Sequence, residues 1–154
     1  MKYIAYGSNM SVEQMKHRCP DAKLIGTGRI AGARLEFYTY ATVESSQIME
    51  ACVPVAVWEI SERDEQRLDR YEGFPSFYIK DECPVAMVSG EQVTGMIYLM
   101  KQKRGNAPTL VYYLGILDAY EDLGLGSQIK KVLEPALGRA MRRSVQCDAA
   151  RQAK

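Results

Sequence analysis

The chain has 154 residues, of which 47% are hydrophobic and 25% are charged, as in an ordinary globular domain. A formal net charge of +1 argues against a broad basic surface for nucleic acid. No apolar run approaches the roughly 20 residues needed to span a bilayer. The four cysteines are scattered, with no close pair to indicate a metal or redox site. We therefore expect a cytoplasmic protein with free thiols and neither a nucleic-acid nor a membrane partner.

The first part of the chain predicts several strands and one short helix. Ser11, with Gln14 three residues later, is a capping-box pattern that opens this helix. Cys19-Pro20 ends it, because proline cannot continue a helix. A loop is predicted at residues 41–49. The predicted strands are residues 2–6, 24–30, 34–39 and 52–60.

A second helix is expected after the valine-rich strand. Ser61 and Asp64 form a capping-box pattern at its start,. Gly73 stands where a left-handed residue commonly follows a helix. The helix is therefore predicted to run to about Tyr71, which puts Glu72 at its C-terminal end.

The second half of the chain begins with a predicted hairpin of strands 78–88 and Gln92–Met100,. A polar loop at 101–107 leads to a helix at 109–123, whose apolar residues recur at helical spacing. Ser127 is predicted to cap another helix, which Pro135 kinks or interrupts. The basic residues after Arg139 are expected to fray.

These elements indicate an α+β fold, because strands outnumber helices and most are adjacent in sequence. The sheet is expected to be a small mixed β-barrel or a strongly curved sheet with flanking helices. We predict a single domain over residues 1–138, and a basic, flexible C-terminal tail over 139–154. The oligomeric state is expected to be a monomer or a homodimer.

The most informative motif is Tyr6-Gly7-Ser8-Asn9, followed by Met10. It lies between the first strand and the helix that begins at Ser11. A turn of this kind can present backbone N–H groups and a helix N-terminus to an anion. A tight turn without any ligand would give the same pattern.

Glu72 is the carboxylate that the sequence singles out. The negative end of a helix dipole disfavours an ionised carboxylate, and the neighbouring Tyr71, Phe74 and Phe77 are expected to desolvate it. Both effects raise the pKa towards the range of a general acid or base near neutral pH. The alternative is a solvated glutamate at a helix end, as most glutamates are exposed.

Other reactive side chains lack partners in the sequence. Ser8 has no histidine-bearing motif beside it, and His17, the sole histidine, is expected to be a surface residue. A dyad of Cys19 and His17 is disfavoured because residues two apart on a helix do not face each other. On the helix at 109–123, Tyr113 belongs to the apolar stripe, whereas Tyr112 lies to one side and is free to reach a cavity or to pack.

Taken together, these segments resemble the gamma-glutamylcyclotransferase-like family. The resemblance rests on the motif from Tyr6 to Met10 and on Tyr71-Glu72-Gly73 followed by Tyr78. It covers roughly residues 3–125. Further matching positions are Leu24-Ile25-Gly26, Gly32, Phe37, Trp58, Pro108-Thr109, Tyr112 and Gly124-Leu125.

The resemblance implies a small barrel with a cavity, and an enzyme that cyclises a γ-glutamyl group to 5-oxoproline and releases an amine without a metal or organic cofactor. The implied substrate-binding loop consists of Tyr6, Gly7, Ser8, Asn9 and Met10, acting chiefly through backbone groups. Glu72 is the implied general acid and base, and Tyr78 and Tyr112 line the implied pocket. One departure is Val55, where many members carry glycine.

Two alternatives to this activity remain open. The first is a non-catalytic module of the same fold that binds a γ-glutamyl or carboxylate ligand, or a protein partner, since a fold does not fix a function. Glu72 favours the enzyme, because a binding module has no need of an ionisable group there. The second keeps the chemistry but changes the substrate: a γ-glutamylamine, such as that of a polyamine, or a γ-glutamylated natural product in place of a γ-glutamyl amino acid or peptide.

Overall fold

The computed structural model describes residues 1–154. It contains seven strands and four α-helices. The strands are β1 (Lys2–Ala5), β2 (Lys23–Ala31), β3 (Ala33–Tyr38), β4 (Tyr40–Ser45), β5 (Cys52–Glu59), β6 (Tyr78–Met87) and β7 (Gln92–Met100). The α-helices are α1 (Val12–Arg18), α2 (Glu62–Glu72), α3 (Leu110–Asp122) and α4 (Glu134–Gln152).

Five strands form a closed barrel in the order β1-β5-β2-β6-β7. Closure comes from β7, which pairs in parallel with β1, whereas the other pairs in the barrel are antiparallel. Strands β3 and β4 form a separate antiparallel hairpin. The predicted α+β class with a small mixed barrel is confirmed.

The core lies inside the barrel and beneath the helices. Strand β5 is buried along nearly its whole length, which explains its run of valines, because a strand covered on both faces needs apolar side chains at every position. Helix α3 buries Tyr113, Ile116 and Tyr120. The prediction that Tyr113 is a core residue is therefore confirmed.

Strand β4 corrects the predicted loop at 41–49. The chain reverses between β3 and β4 at Thr39, which has a φ of 67°, and Tyr38 pairs directly with Tyr40. Non-glycine residues seldom adopt positive φ, and no glycine, proline or asparagine marks this turn. The hairpin was missed because its turn carries none of the usual sequence signals.

The C-terminal segment also differs from its prediction. Ile129–Leu133 forms a π-helical turn, Pro135 lies in the first turn of α4, and α4 runs across the predicted boundary at residue 138. Arg139 Nε donates to Glu36 Oε1 at 2.8 Å, and Arg143 Nη1 donates to Glu36 Oε2 at 3.2 Å. Because Glu36 is fully buried, these contacts dock α4 against β3. None of the four helices has the length and apolar character required to cross a bilayer.

Candidate active site

A cavity of about 240 Å³ lies where the N-terminal motif, the end of α2 and the start of β4 meet. Seven of the eight site residues predicted from the sequence line it. The motif contributes Tyr6, Gly7, Ser8 and Asn9. The other three are Glu72, Tyr78 and Tyr112. The structure therefore brings together two segments that are more than 60 residues apart in sequence.

The eighth predicted residue, Met10, does not reach the cavity. Its side chain is fully buried in the core. Phe74, expected to desolvate Glu72, also lies outside the lining; its ring lies under the Lys80 ammonium group, 4.5 Å from the centroid. Val55 is buried in β5 opposite Gly28, and is likewise absent from the lining.

The motif forms a short 3-10 turn at Ser8–Met10. The first bond of the turn runs from the Met10 N–H to the Gly7 carbonyl, at 3.0 Å, so the N–H groups of Ser8 and Asn9 precede the hydrogen-bonded part of the turn. Gly7 has a negative φ, −118°. A Cβ there would lie 3.4 Å from Ala41 Cβ and 3.4 Å from the Tyr112 hydroxyl. Both distances are ordinary van der Waals contacts with residues that line the cavity, so a side chain at position 7 would take up space beside them that glycine leaves free.

Glu72 ends α2 where the helix was predicted to end. The capping box of Ser61 and Asp64 forms in both directions, and Gly73 has a left-handed φ of 65°. Glu72 Oε1 accepts a hydrogen bond from Asn9 Nδ2 at 3.0 Å. Burial raises the pKa of Glu72 from 4.5 to about 7, and the Arg18 charge and the Asn9 hydrogen bond oppose this shift. The predicted direction agrees, with burial as the main cause.

The cavity tyrosines hold the start of β4 in place. The Tyr78 hydroxyl donates to the Ala41 carbonyl at 2.6 Å, and the Ala41 N–H donates to the Tyr112 hydroxyl at 3.1 Å. The Tyr6 hydroxyl donates to the Tyr98 carbonyl at 2.6 Å. A phenol that accepts one hydrogen bond still has its own O–H to donate, so Tyr112 can present a donor to a ligand.

Sequence analysis missed six of the lining residues as site residues. Three of them, Tyr40, Tyr71 and Phe77, are about half exposed and form an aromatic mouth. Tyr40 packs edge-on against Phe77 at 6.1 Å between centroids. The others are Tyr3, Ala41 and Tyr98. Strand alternation gives no indication that a tyrosine faces a cavity, so only Tyr71 and Phe77, next to Glu72 in sequence, carried a signal.

The alternative nucleophiles are disfavoured by their surroundings. Ser8 Oγ accepts a hydrogen bond from Arg18 Nη1 at 3.0 Å, and no histidine approaches it. His17 is exposed, and its Nδ1 contacts the Glu13 carbonyl of its own helix. Burial raises the pKa of the Cys19 thiol to about 12, which disfavours the reactive thiolate.

No group of three or more His, Cys, Asp or Glu side chains is arranged to hold a metal ion.

Comparison with known proteins assigns the family. The family model described as gamma-glutamyl cyclotransferase, AIG2-like, matches residues 3–116, which includes every residue of the cavity lining. The chain belongs to this family. Members are named for an enzyme activity, so the prediction of a gamma-glutamylcyclotransferase-like enzyme is confirmed.

Individual relatives agree with this assignment. The human gamma-glutamylcyclotransferase is 26% identical over 148 residues, covering 86% of this chain and 78% of the human protein. A solved structure titled gamma-glutamyl cyclotransferase superposes with a TM-score of 0.78 at 26% identity, covering 86% of this chain and 85% of that one. YkqA from Bacillus subtilis, at 20% identity, shares the fold with a TM-score of 0.70 over 85% of this chain and 53% of its own.

Proposed function

We propose that this member of the gamma-glutamyl cyclotransferase, AIG2-like family converts a small γ-glutamyl compound into 5-oxoproline and a free amine or amino acid. The observation that carries the proposal is the pairing of Glu72 with the Tyr6–Asn9 turn across one cavity. The turn offers backbone donors to an anion, and the carboxylate offers a base. A γ-glutamyl group presents an α-carboxylate and an α-ammonium group on the same carbon, so it can satisfy both.

The reaction needs no nucleophile from the protein. The α-amine attacks its own γ-carbonyl carbon, a five-membered ring closes, and the amide bond to the leaving amine breaks. Such a tethered attack, when well oriented, can reach effective molarities of roughly 10⁵–10⁸ M. The protein's task is therefore to fold the substrate into the ring-closing shape and to move protons.

Glu72 is the group proposed to move them. An α-ammonium group is not nucleophilic, so the ionised carboxylate first takes one of its protons, and the carboxylic acid then protonates the departing amine. The ring nitrogen is cationic after the attack, and the regenerated carboxylate accepts its surplus proton and passes it to the released amine or to solvent. The rise in the pKa of Glu72 from 4.5 to about 7 brings it nearer to that of an α-ammonium group, which is about 8 at a peptide N-terminus and higher beside a free α-carboxylate. Proton transfer from the substrate to Glu72 therefore costs less free energy than transfer to an ordinary glutamate.

Neutral hydrogen-bond donors of the protein are proposed to bind the other polar groups of the substrate. The N–H groups of Ser8 and Asn9 are proposed to bind the α-carboxylate, as helix N-termini bind anions. Tyr112, whose hydroxyl oxygen is held by the Ala41 N–H, is proposed to donate its O–H to the substrate, and Tyr78 to form the wall beside it. The proposal includes a cytoplasmic monomer or homodimer that uses neither a metal nor an organic cofactor.

A panel of γ-glutamyl compounds tests the activity. The protein is incubated with γ-glutamyl amino acids, a γ-glutamyl peptide and γ-glutamyl amines, and 5-oxoproline is quantified. We expect product from at least one class. Two matched compounds serve as controls: an N-acetylated substrate, whose α-amine cannot attack, and an α-glutamyl isomer, whose γ-carboxyl group is free, so that ring closure would release water and neither the amine nor free 5-oxoproline.

The controls separate the two functions that the sequence leaves open. Product from the free substrate and none from the N-acetylated one supports cyclisation by the α-amine. Binding of a γ-glutamyl compound with no 5-oxoproline from any panel member would contradict the enzyme and favour the binding module.

A further inference from the structure

Arg18, the last residue of α1, makes a set of contacts that the proposed mechanism does not use. Its Nη1 donates to Asn9 Oδ1 at 2.6 Å and to Ser8 Oγ at 3.0 Å. Its guanidinium carbon lies 3.9 Å from the centroid of the Tyr71 ring. Arg18 is absent from the cavity lining, so it acts on the site from behind the motif.

The chemistry of arginine fixes the orientation of Asn9. A guanidinium group has only donors, so the amide of Asn9 must turn its oxygen towards Arg18. Its nitrogen then faces the cavity, where Nδ2 donates to Glu72 Oε1 at 3.0 Å and to the Tyr3 hydroxyl at 2.9 Å. The backbone carbonyl of Asn9 accepts a hydrogen bond from Trp58 Nε1 at 3.0 Å, which holds the main chain at this position. Asn9 is 4% exposed, and these contacts leave its side chain one orientation.

We propose that Arg18 is a positioning residue for Glu72: by holding the Asn9 amide it keeps Glu72 Oε1 as a hydrogen-bond acceptor and leaves Oε2 to exchange protons with the substrate. An oxygen that accepts the Asn9 N–H is a poor place for a proton, so the proton is carried on the other oxygen. The link to the substrate rests on the proposed cyclotransferase function, whereas the link between Arg18 and Glu72 does not.

The positive charge of Arg18 affects Glu72 in addition to these hydrogen bonds. The Arg18 cation favours the ionised form of Glu72, against the larger effect of burial. The other titratable groups that line the cavity around Glu72 are phenols, including Tyr71 on its own helix. Burial raises the pKa of the phenols of Tyr3, Tyr6, Tyr78, Tyr98 and Tyr112, so they stay neutral near pH 7. Arg18 is thus the charged group that opposes the effect of burial on the pKa of this carboxylate.

Two substitutions separate the contact from the charge. Arg18→Met removes both, and we expect kcat for 5-oxoproline release to fall about 10- to 100-fold. The acidic limb of the pH profile should move to higher pH, because Glu72 loses the cation that favours its ionised form. Arg18→Lys keeps a charge but loses the planar fork and the stacking on Tyr71. In Arg18→Lys the acidic limb of the pH profile should stay near its position in the parent protein, while kcat should stay below the parental value.

Arg67→Met is the matched control. Arg67, on α2, donates to the backbone carbonyls of Arg18 and His17, so its loss weakens the same α1–α2 contact without touching Asn9. We expect a loss of stability with no shift of the acidic limb. Equal effects of Arg18→Met and Arg67→Met on kcat and on the limb would overturn the proposal. If Arg18→Met does not fold, Arg18→Lys decides, because a parental kcat in that variant also overturns it.

A substrate-free measurement keeps this proposal distinct from the proposed function. The Glu72 side-chain carboxyl is titrated by carbon-13 NMR in the parent protein, Arg18→Met and Arg67→Met. We expect the pKa of Glu72 to rise only in Arg18→Met. An unchanged titration in Arg18→Met contradicts the role of Arg18 even if the protein cyclises γ-glutamyl compounds. A raised pKa supports that role even if the panel yields no product.

Discussion

Glu72 is a half-buried carboxylate that the fold does not pair with a direct ionic partner. Its one protein hydrogen bond comes from the neutral amide of Asn9, and Arg18 acts on it through space. An unpaired, partly buried carboxylate is costly to ionise. Such a group serves as an acid and base because both of its protonation states are accessible near neutral pH.

The pH dependence of stability should report this cost. The pKa of Glu72 is about 7 in the folded protein against an ordinary 4.5, so between these values the folded state binds more protons than the unfolded chain. The free energy of unfolding therefore falls as the pH rises through this window. Relative to Glu72→Gln, the parent protein should lose on the order of 3 kcal/mol. The free energy of unfolding is measured in urea from pH 4 to 8.

The control for this experiment is Glu121→Gln, which changes an exposed glutamate near the end of α3. The free energy of unfolding of Glu121→Gln should change with pH in the same way as that of the parent protein. If the free energy of unfolding of Glu72→Gln changes with pH in the same way as that of the parent protein, the carboxylate is not destabilised by burial. That result would contradict a raised pKa of Glu72 as the basis of its role as a base.

At the level of single residues, the sequence was informative where function depends on contiguous positions. The turn from Tyr6 to Asn9 and the helix end at Glu72 each carry local signals. Arg18 carries none, because its role comes from one guanidinium nitrogen at the end of α1 that donates to both Ser8 and Asn9. Met10 was assigned to the site because it continues the motif, but the 3-10 turn directs it into the core, where it is fully buried.

At the level of elements, α2 is the helix on which the site depends. Its two ends are set by local chemistry, the Ser61–Asp64 capping box and the left-handed Gly73, and both were predictable for that reason. Strand β4, which supplies Ala41 to the cavity, was not, because a turn at a single threonine leaves no signal. The short element that the sequence missed is the one that Tyr78 and Tyr112 hold in place.

Gly73→Ala should therefore damage both the helix end and the site. Its φ is 65°, and a Cβ would lie 3.2 Å from Phe77 Cβ. The left-handed conformation should cost about 1–2 kcal/mol of stability in an L-residue, and the crowding should displace Phe77 and Glu72. Urea unfolding measures the stability, and kcat/KM for 5-oxoproline release measures the displacement.

Gly124→Ala gives the comparison. Gly124 follows α3 with a φ of 74°, and a Cβ there would meet no heavy atom within 4 Å. The same backbone cost should appear without any crowding, and kcat/KM should be unchanged. Equal kcat/KM values in the two variants would contradict the view that the Gly73 position sets the geometry of Glu72.

At the level of the whole molecule, barrel closure creates the site. The parallel pairing of β1 with β7 fixes the N-terminal motif beside Tyr98, and the order of the strands brings it to the end of α2. A barrel could be expected from the number of strands, but their order depends on contacts between distant residues. The docking of α4 was unpredictable for the same reason, since Arg139 and its partner Glu36 are 103 residues apart.

Truncation tests what α4 contributes. A chain ending at Gly138 loses Arg139 and Arg143 and leaves the buried Glu36 carboxylate with Arg34, whose side chain is 48% exposed. An uncompensated buried charge costs about 3–5 kcal/mol, and the loss of two of the three arginine partners should cost part of this, so the melting temperature should fall. A chain ending at Gln146 keeps all three arginines and loses only exposed residues, and should melt like the full chain. Equal melting temperatures for the two truncations would instead support a dispensable tail from residue 139.

In the proposed mechanism Glu72 moves the protons of cyclisation, and the decisive variant is Glu72→Gln. The variant keeps the shape of the side chain and its acceptor for Asn9 but can neither take nor give a proton at neutral pH. With a substrate identified from the panel, 5-oxoproline release should fall about 10²- to 10⁴-fold, while circular dichroism and ligand binding stay at parental levels. A folded Glu72→Gln protein that releases 5-oxoproline at near the parental rate would contradict the account.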